Sequence, residues 1–248
     1  MRDRRPRVPE PGGAQIFVVA ALLALAPAVL AASGGAGPSQ EAGTAALRLD
    51  SLDGLELINA RADLVTYRAR WALRLSPPPG REPDGGEPLA ILPESDFEDG
   101  TIEAEIAGAP RLDAPADVRG FVGIAFRAQQ HGARFEHFYL RPTNGRAEDQ
   151  LRRNHSVQYQ SVPEYPWHRL RKENPGVYES YADLQPGVWT KLKIVVSGTR
   201  ARLYVNGADQ PCLVVNDLKM GRVRGQIGLW AHPTTEAYFS EVRITRLR

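Results

Sequence analysis

The chain has 248 residues, 42% of them hydrophobic, with 31 Lys and Arg against 29 Asp and Glu. The basic excess belongs to the amino terminus, because beyond residue 31 the counts are 27 and 27, a balance that excludes the sustained cationic surface needed to neutralise nucleic-acid phosphates. A single cysteine, Cys212, excludes an intramolecular disulfide, so folding has to rest on the core.

Arg2, Arg4, Arg5 and Arg7 precede the apolar run Ile16 to Ala26, and Ala28-Val29-Leu30-Ala31-Ala32 then supplies small residues. That order is the pattern of a secretory signal peptide. We read residues 1–31 as the signal, cleaved after Ala31 or Ala32, which places the mature protein in the periplasm or outside the cell. The competing reading is a retained anchor, since the run is near the lower length limit for spanning a bilayer; Pro27 and the small residues after it favour cleavage. Residues 32–45, rich in Gly, Ala and Ser, are expected to be a flexible leader, and residues 46–248 a single domain.

From there nearly every segment alternates apolar and polar residues with period two between Gly, Pro, Asn or Asp, the signature of strands. In Thr101 to Ile106, Ile102, Ala104 and Ile106 point one way and Thr101, Glu103 and Glu105 the other. Gly120 to Ala128 sets Val122, Ile124 and Phe126 opposite Phe121, Gly123, Ala125 and Arg127. Further strands are expected at 135–141, 155–160, 190–196, 200–205, 213–215, 226–232 and 237–247, with a hairpin turn at Ser197-Gly198-Thr199 and an Asn206-Gly207 turn. Pro- and Gly-rich 76–88 is expected to be a surface loop. Many short strands without helices between them give an all-β fold: two antiparallel sheets packed as a β-sandwich or jelly roll. Its core is expected to contain Ile102, Ile124, Phe126, Leu192, Ile194, Leu203, Val205, Ile227, Leu229 and Phe239. Cys212, in an apolar run, is expected to be a small buried hydrophobe.

The densest polar stretch, Arg141 to Tyr181, combines Arg, Asn and Gln with the rings of Tyr159, Tyr165, Trp167, Tyr178 and Tyr181. Such groups suit sugar hydroxyls and sugar C–H faces, and a loop this long inside a domain is usually functional. Candidate ligand-binding residues are Arg127, Tyr139, Arg141, Asn144, His155, Gln158, Trp167, His168 and Arg171. Tyr139 and Arg141 share one face of their strand, whereas His155 and Gln158 can cooperate only if His155 precedes the strand or a bulge intervenes. The basic excess of the stretch favours uronate-bearing or sulfated glycans over neutral ones. No histidines pair at metal-ligand spacing on one element, so no metal is indicated.

The segments FEDGTIEAEIAG, RGFVGIAFRA, FEHFYLRP, GVWTKLKIVVSGTRARLYVNG, GQIGLWAH and AYFSEVRI, in that order over about residues 45–248, resemble the laminin G-like and 3-keto-disaccharide hydrolase-like branch of the concanavalin A-like lectins and glucanases. The resemblance implies an exported carbohydrate-binding sandwich, and leaves open a glycoside hydrolase of the 3-keto-disaccharide hydrolase-like kind or a protein-binding adhesion module. For the hydrolase, Glu136, Glu164, Glu173 or His155 are the candidate acid or base groups. Where that family carries Glu-x-Gln on a mid-chain strand, this chain has Ser156 and Gln158, so the acid is replaced. Glu94-Ser95-Asp96-Phe97-Glu98 matches the Glu-x-Asp-x-Glu of laminarinase-type glycosidases, yet Pro93 before it and Asp99-Gly100 after it mark a turn. The resemblance also leaves room for a structural calcium held by backbone carbonyls and scattered Asp or Asn.

Overall fold

The computed structural model describes residues 43–47, 49–80 and 86–247, with 49% of them in strands and 8% in helices. The signal segment 1–31 and the first part of the leader lie outside the described residues. The chain opens with β1 (Gly43–Leu47), β2 (Glu56–Ile58), β3 (Arg61–Tyr67), β4 (Arg70–Ser76) and β5 (Leu89–Ile91). The alternating runs that follow become β6 (Gly100–Pro110), β7 (Val122–Gln129) and β8 (Arg134–Leu140). Within residues 141–181 the expected strand is present as β9 (Val157–Val162), and the rest, expected to be loop, is ordered as a 3-10 turn (Pro142–Asn144), α1 (Gln150–Asn154), α2 (Trp167–Glu173) and β10 (Glu179–Ser180). The end of the chain supplies β11 (Thr190–Ser197), β12 (Arg200–Val205), β13 (Leu213–Val215), β14 (Gln226–Ala231) and β15 (Thr235–Arg246).

Two antiparallel sheets result. One runs β13-β12-β11-β6-β15-β4-β3 with β1 on β15, and the other β10-β9-β8-β7-β14-β5-β2. Register explains why they pack: Ile102 pairs with Ile194 and Ala104 with Leu192 across β6 and β11, so apolar side chains accumulate on one face while Glu103 and Glu105 stay on the other. All ten expected core residues are buried in the cluster between the sheets. Burying each large aliphatic or aromatic side chain contributes about 1.5–3 kcal/mol, and this inter-sheet layer is the main source of stability in a chain without disulfides.

The seven-stranded sheet is covered on its outer face as well, by Leu89, Ile91, Ala125, Ala128, Phe135, Tyr139 and Trp230. His137 is fully buried among these rings, 4.6 Å from Trp230 and 5.1 Å from Tyr139 between centroids. Among the described residues neither of its ring nitrogens has a hydrogen-bond partner, and burial pushes its pKa down to about 3. Gly123 lies opposite Tyr139 in the β7–β8 ladder, and a Cβ there would come within 2.3 Å of the Phe138 carbonyl and 2.6 Å of Tyr139 Cβ. Glycine is required because the neighbouring strand fills its side-chain space.

Arg127 corrects the sequence expectation. Strict alternation would place it on the outer face with Gly123 and Ala125, but β7 bulges between Phe126 and Gln129, and Arg127 takes a φ of +54°. The bulge turns its side chain into the end of the sandwich. There the guanidinium is fully buried: Nη1 donates to the Gly221 carbonyl at 2.6 Å, Nη2 to the Gly198 carbonyl at 2.7 Å, and both Nε and Nη2 to the Glu98 carbonyl at about 3 Å. Asp99 Oδ1 at 3.2 Å and Glu136 Oε2 at 3.4 Å supply opposite charge. Arg127 is part of the scaffold.

Candidate functional site

A cavity of about 540 Å³ opens on the outer face of the seven-stranded sheet. Its base is formed by Tyr139 from β8, Gln160 from β9 and Trp230 from β14, and its walls by Arg119 and Phe121 before β7, Arg141 and Asn144 after β8, Arg152 and His155 from α1, and Trp167 and Arg171 from α2. Glu87, Asp117 and His232 complete the lining. Six of the nine residues singled out from the sequence therefore meet here: Tyr139, Arg141, Asn144, His155, Trp167 and Arg171.

The two short helices bring distant groups to this rim. Asp149 caps α1, its Oδ1 accepting from the backbone N–H of Leu151 at 2.8 Å and of Arg152 at 3.2 Å. His155 terminates the helix and thus precedes β9, which removes the parity conflict with Gln158. In α2 the Trp167 N–H donates to Gln160 Oε1 at 2.9 Å. Trp167 and Arg171 are four residues apart and share a face, with the guanidinium 4.8 Å from the indole centroid.

Gln158 and His168 do not line the cavity. Gln158 is buried under it, opposite Tyr139 in the ladder, and its Oε1 accepts from Arg141 Nη2 at 3.1 Å. Gln158 therefore orients Arg141. His168, one residue after Trp167, is turned by about 100° around α2 and is exposed outside the cavity.

Arg141 is 5% exposed and anchored on three sides, donating to the His155 carbonyl at 3.1 Å, the Tyr139 hydroxyl at 2.9 Å and Gln158. Burial pushes the Tyr139 hydroxyl pKa up to about 12, against the pull of Arg141, so the phenol stays protonated. Glu179, buried behind the wall, receives Arg171 through two nitrogens at 2.6 and 3.0 Å. His155 Nε2 lies 3.1 Å from Oε1 of the same carboxylate, the oxygen that also accepts from Arg171 Nε. Burial outweighs the attraction of Glu179 and holds His155 below the usual histidine range. Glu87 is exposed as a residue, yet its carboxyl is enclosed enough to be raised above the usual carboxylate range; it accepts from Trp230 Nε1 at 2.9 Å.

Arg119 and Arg152 differ from the other two arginines. Arg152 makes only long contacts to Asn144 Oδ1, at 3.4 and 3.5 Å. Among the described residues neither has a carboxylate within ion-pair distance. Burial, then the charges of Arg152 and Arg141, lower the Arg119 pKa, while Asp117 opposes them.

A second cavity of about 730 Å³, lined by Leu151, Pro175, Gly176 and Tyr181 among others, lies beyond His155 and Arg171, which belong to both. Of the proposed acid or base groups only His155 reaches either cavity. Glu136 is consumed in the core by the Tyr159 hydroxyl at 2.6 Å and the Met220 N–H at 3.1 Å, and Glu164 and Glu173 face Arg134 and Arg169 on the surface. Ser156, at the position of the missing acid, is buried and bridges the Arg153 carbonyl and the Ala182 N–H, both at 2.8 Å. Asp96 and Glu98 of the Glu-x-Asp-x-Glu match form surface pairs with Arg222 and Arg224. Cys212 is half-buried, its thiol pushed up to about 11 by burial. Among the described residues no three His, Cys, Asp or Glu side chains converge as metal ligands, and no helix is long and apolar enough to cross a membrane.

Sequence reasoning missed Arg119, Phe121, Trp230 and His232. Phe121 falls on the outer face by simple alternation with Gly123, and Trp230 does the same in β14. The arrangement as a whole offers aromatic faces beside guanidinium and amide donors.

No family model and no curated protein matches the chain by sequence. Solved structures do match in three dimensions. A carbohydrate binding module, CBM66, from Bacillus subtilis superposes with a TM-score of 0.53 at 15% identity, covering 77% of this chain and 95% of that one. A Bacillus subtilis protein of unknown function with a galectin-like fold gives 0.54 at 13% identity, covering 85% and 100%. The exoplasmic/lumenal domain of VIP36, in its Ca2+/Man3GlcNAc-bound form, gives 0.50 at 11% identity, covering 78% and 83%. At these identities the likeness concerns architecture alone, and it agrees with the strand order and two-sheet packing: the chain has the antiparallel two-sheet β-sandwich fold that these structures share.

Proposed function

We propose that the protein is an exported carbohydrate-binding sandwich that holds a glycan in the cavity above Tyr139, with Arg141, Asn144, His155, Trp167 and Arg171 as its contacts and Gln158 as a support. The observation that carries this reading is the juxtaposition, in one open cavity floored by the buried rings of Tyr139 and Trp230, of the accessible aromatic side chains Phe121 and Trp167 with guanidinium, amide and imidazole groups. Flat apolar faces beside rigid donors are what a sugar ring offers partners for. Two of the similar structures, a carbohydrate binding module and a domain with a bound mannose-containing glycan, support the same reading. The basic and apolar amino-terminal pattern supports action outside the cytoplasm; amino-terminal sequencing of the exported protein checks it, a start near Ala32 being expected.

The test of function is retention of the full chain on a panel of immobilised polysaccharides, together with release of reducing sugar from the same panel. Retention without release is the expected result. Release would make the protein a glycosidase with His155 as the candidate proton carrier, and a panel that retains nothing would overturn the carbohydrate reading.

A further inference from the structure

The four arginines of the cavity fall into two pairs. Arg171 is neutralised by Glu179 through two nitrogens, and Arg141 is committed to the Tyr139 hydroxyl, Gln158 and the His155 carbonyl. Arg119 makes no side-chain hydrogen bond or ion pair among the described residues, and Arg152 touches only Asn144 at the limit of hydrogen-bond distance. Two guanidinium groups thus line the same cavity with donors open to a ligand, close enough for their charges to disfavour each other. Such repulsion between like charges is relieved when an anion binds between them. The planar two-donor edge of each guanidinium matches the two oxygens of a carboxylate.

We propose that this cavity takes a uronic acid residue of a glycan, its carboxylate engaged by Arg119 and Arg152 while its ring lies against Trp167. The proposal rests on the carbohydrate reading above and sharpens it. Asp117 and Glu87 line the same cavity. They give hydroxyl groups acceptors to meet, and they repel a densely sulfated chain, so a singly charged sugar fits better than a polyanion. Asn144, which bridges Arg152 and the His155 carbonyl, sets Arg152 relative to the ring.

The experiment uses the full chain and pairs of polymers that differ only in the acid: polygalacturonate, alginate and hyaluronan, each beside its carboxyl-reduced form, with dextran sulfate and an unsubstituted neutral dextran as further probes. At least one uronate polymer should bind at physiological ionic strength, and carboxyl reduction should weaken it about tenfold or more, the loss expected for a charge-assisted hydrogen-bonded pair. Arg119→Met and Arg152→Met should each weaken binding of the acid form about tenfold and binding of the reduced form by much less, so that the preference for the acid form is lost. Arg119→Lys, which keeps the charge and loses the planar edge, should fall between wild type and Arg119→Met; it keeps the test decisive if a methionine variant fails to fold. Equal binding of acid and reduced forms would overturn the uronate assignment and leave the carbohydrate reading standing. Dextran sulfate binding as tightly as any uronate polymer would also overturn it, since the cationic groups would then be acting as an unselective patch. Failure of every polymer to bind would overturn both.

Discussion

Replacing Arg127 with methionine removes a fully buried guanidinium while keeping most of its volume. The cost follows from what it leaves behind. Three carbonyls, of Glu98, Gly198 and Gly221, lose donors at 2.6–3.1 Å, and Glu136 loses its only cationic neighbour within ion-pair distance among the described residues. Glu136 keeps the Tyr159 hydroxyl and the Met220 N–H, and burial already holds it above the usual carboxylate range. Breaking a buried pair from one side costs about 3–5 kcal/mol, and the turns at Gly198 and Gly221 can relax toward water, so we expect a loss of about 4 kcal/mol. For a domain of this size that lowers the thermal midpoint by roughly 8–16 °C. Equilibrium unfolding in guanidinium chloride measures it directly. In Arg127→Met/Glu136→Gln the stranded charge is gone, and the double variant should be more stable than the sum of the single losses by about 1–3 kcal/mol. A loss below about 1 kcal/mol would refute this account of the bulge. So would an unchanged stability accompanied by lost glycan retention, which would return Arg127 to the binding site.

His137, with its pKa near 3 in the folded chain against 6.5 for the free side chain, stays neutral when folded. As pH falls from 6.5 toward 3 the unfolded chain takes up a proton that the folded chain refuses, so stability drops by up to about 1.4 kcal/mol per pH unit. His137→Phe should remove that slope and be favoured over wild type by about 2 kcal/mol more at pH 5 than at pH 8; parallel stability–pH curves would contradict it. Gly123→Ala should destabilise by about 1–3 kcal/mol, because its methyl group meets backbone that cannot retreat, and a neutral outcome in urea unfolding would show that the β7–β8 spacing is adjustable. Trp167→Ala should weaken glycan retention about tenfold, near 1.4 kcal/mol, with the thermal midpoint unchanged, since the ring is 42% exposed. Arg141→Ala should lower both retention and midpoint, because its buried guanidinium ties Tyr139, Gln158 and the His155 carbonyl together; calorimetry on the same sample reads the two effects.

Strand parity made much of the architecture legible. Ile102, Ala104 and Ile106 read as one face before any pairing is known, and the same rule brings Tyr139 and Arg141 to one rim. Parity failed at Arg127 because a bulge resets the count after Phe126, and nothing in RGFVGIAFRA announces a positive φ at an arginine. The stretch 141–181 gave up its residue types but not their arrangement. Without knowing that 167–173 is a helix, Trp167 and His168 look equivalent, whereas four-residue spacing selects Trp167 with Arg171 and turns His168 away. Arg119 and Arg152 were invisible for a different reason: what distinguishes them from the other arginines of the cavity is that neither has a carboxylate within ion-pair distance among the described residues, and that is a property of three-dimensional neighbours. β1 begins at Gly43, inside the expected leader, because pairing with β15 supplies order that composition does not reveal.

The partition between the two cavities consists of His155 and Arg171, both braced on the one carboxylate of Glu179. If a ligand in one compartment displaces Arg171 and so changes what Glu179 offers to His155, the resulting effect on affinity in the other compartment is equal in both directions. Substitutions on the two sides of the partition would therefore be epistatic, and a glycan long enough to cross it would bind with a strength that cannot be obtained by adding the contributions of its separate residues.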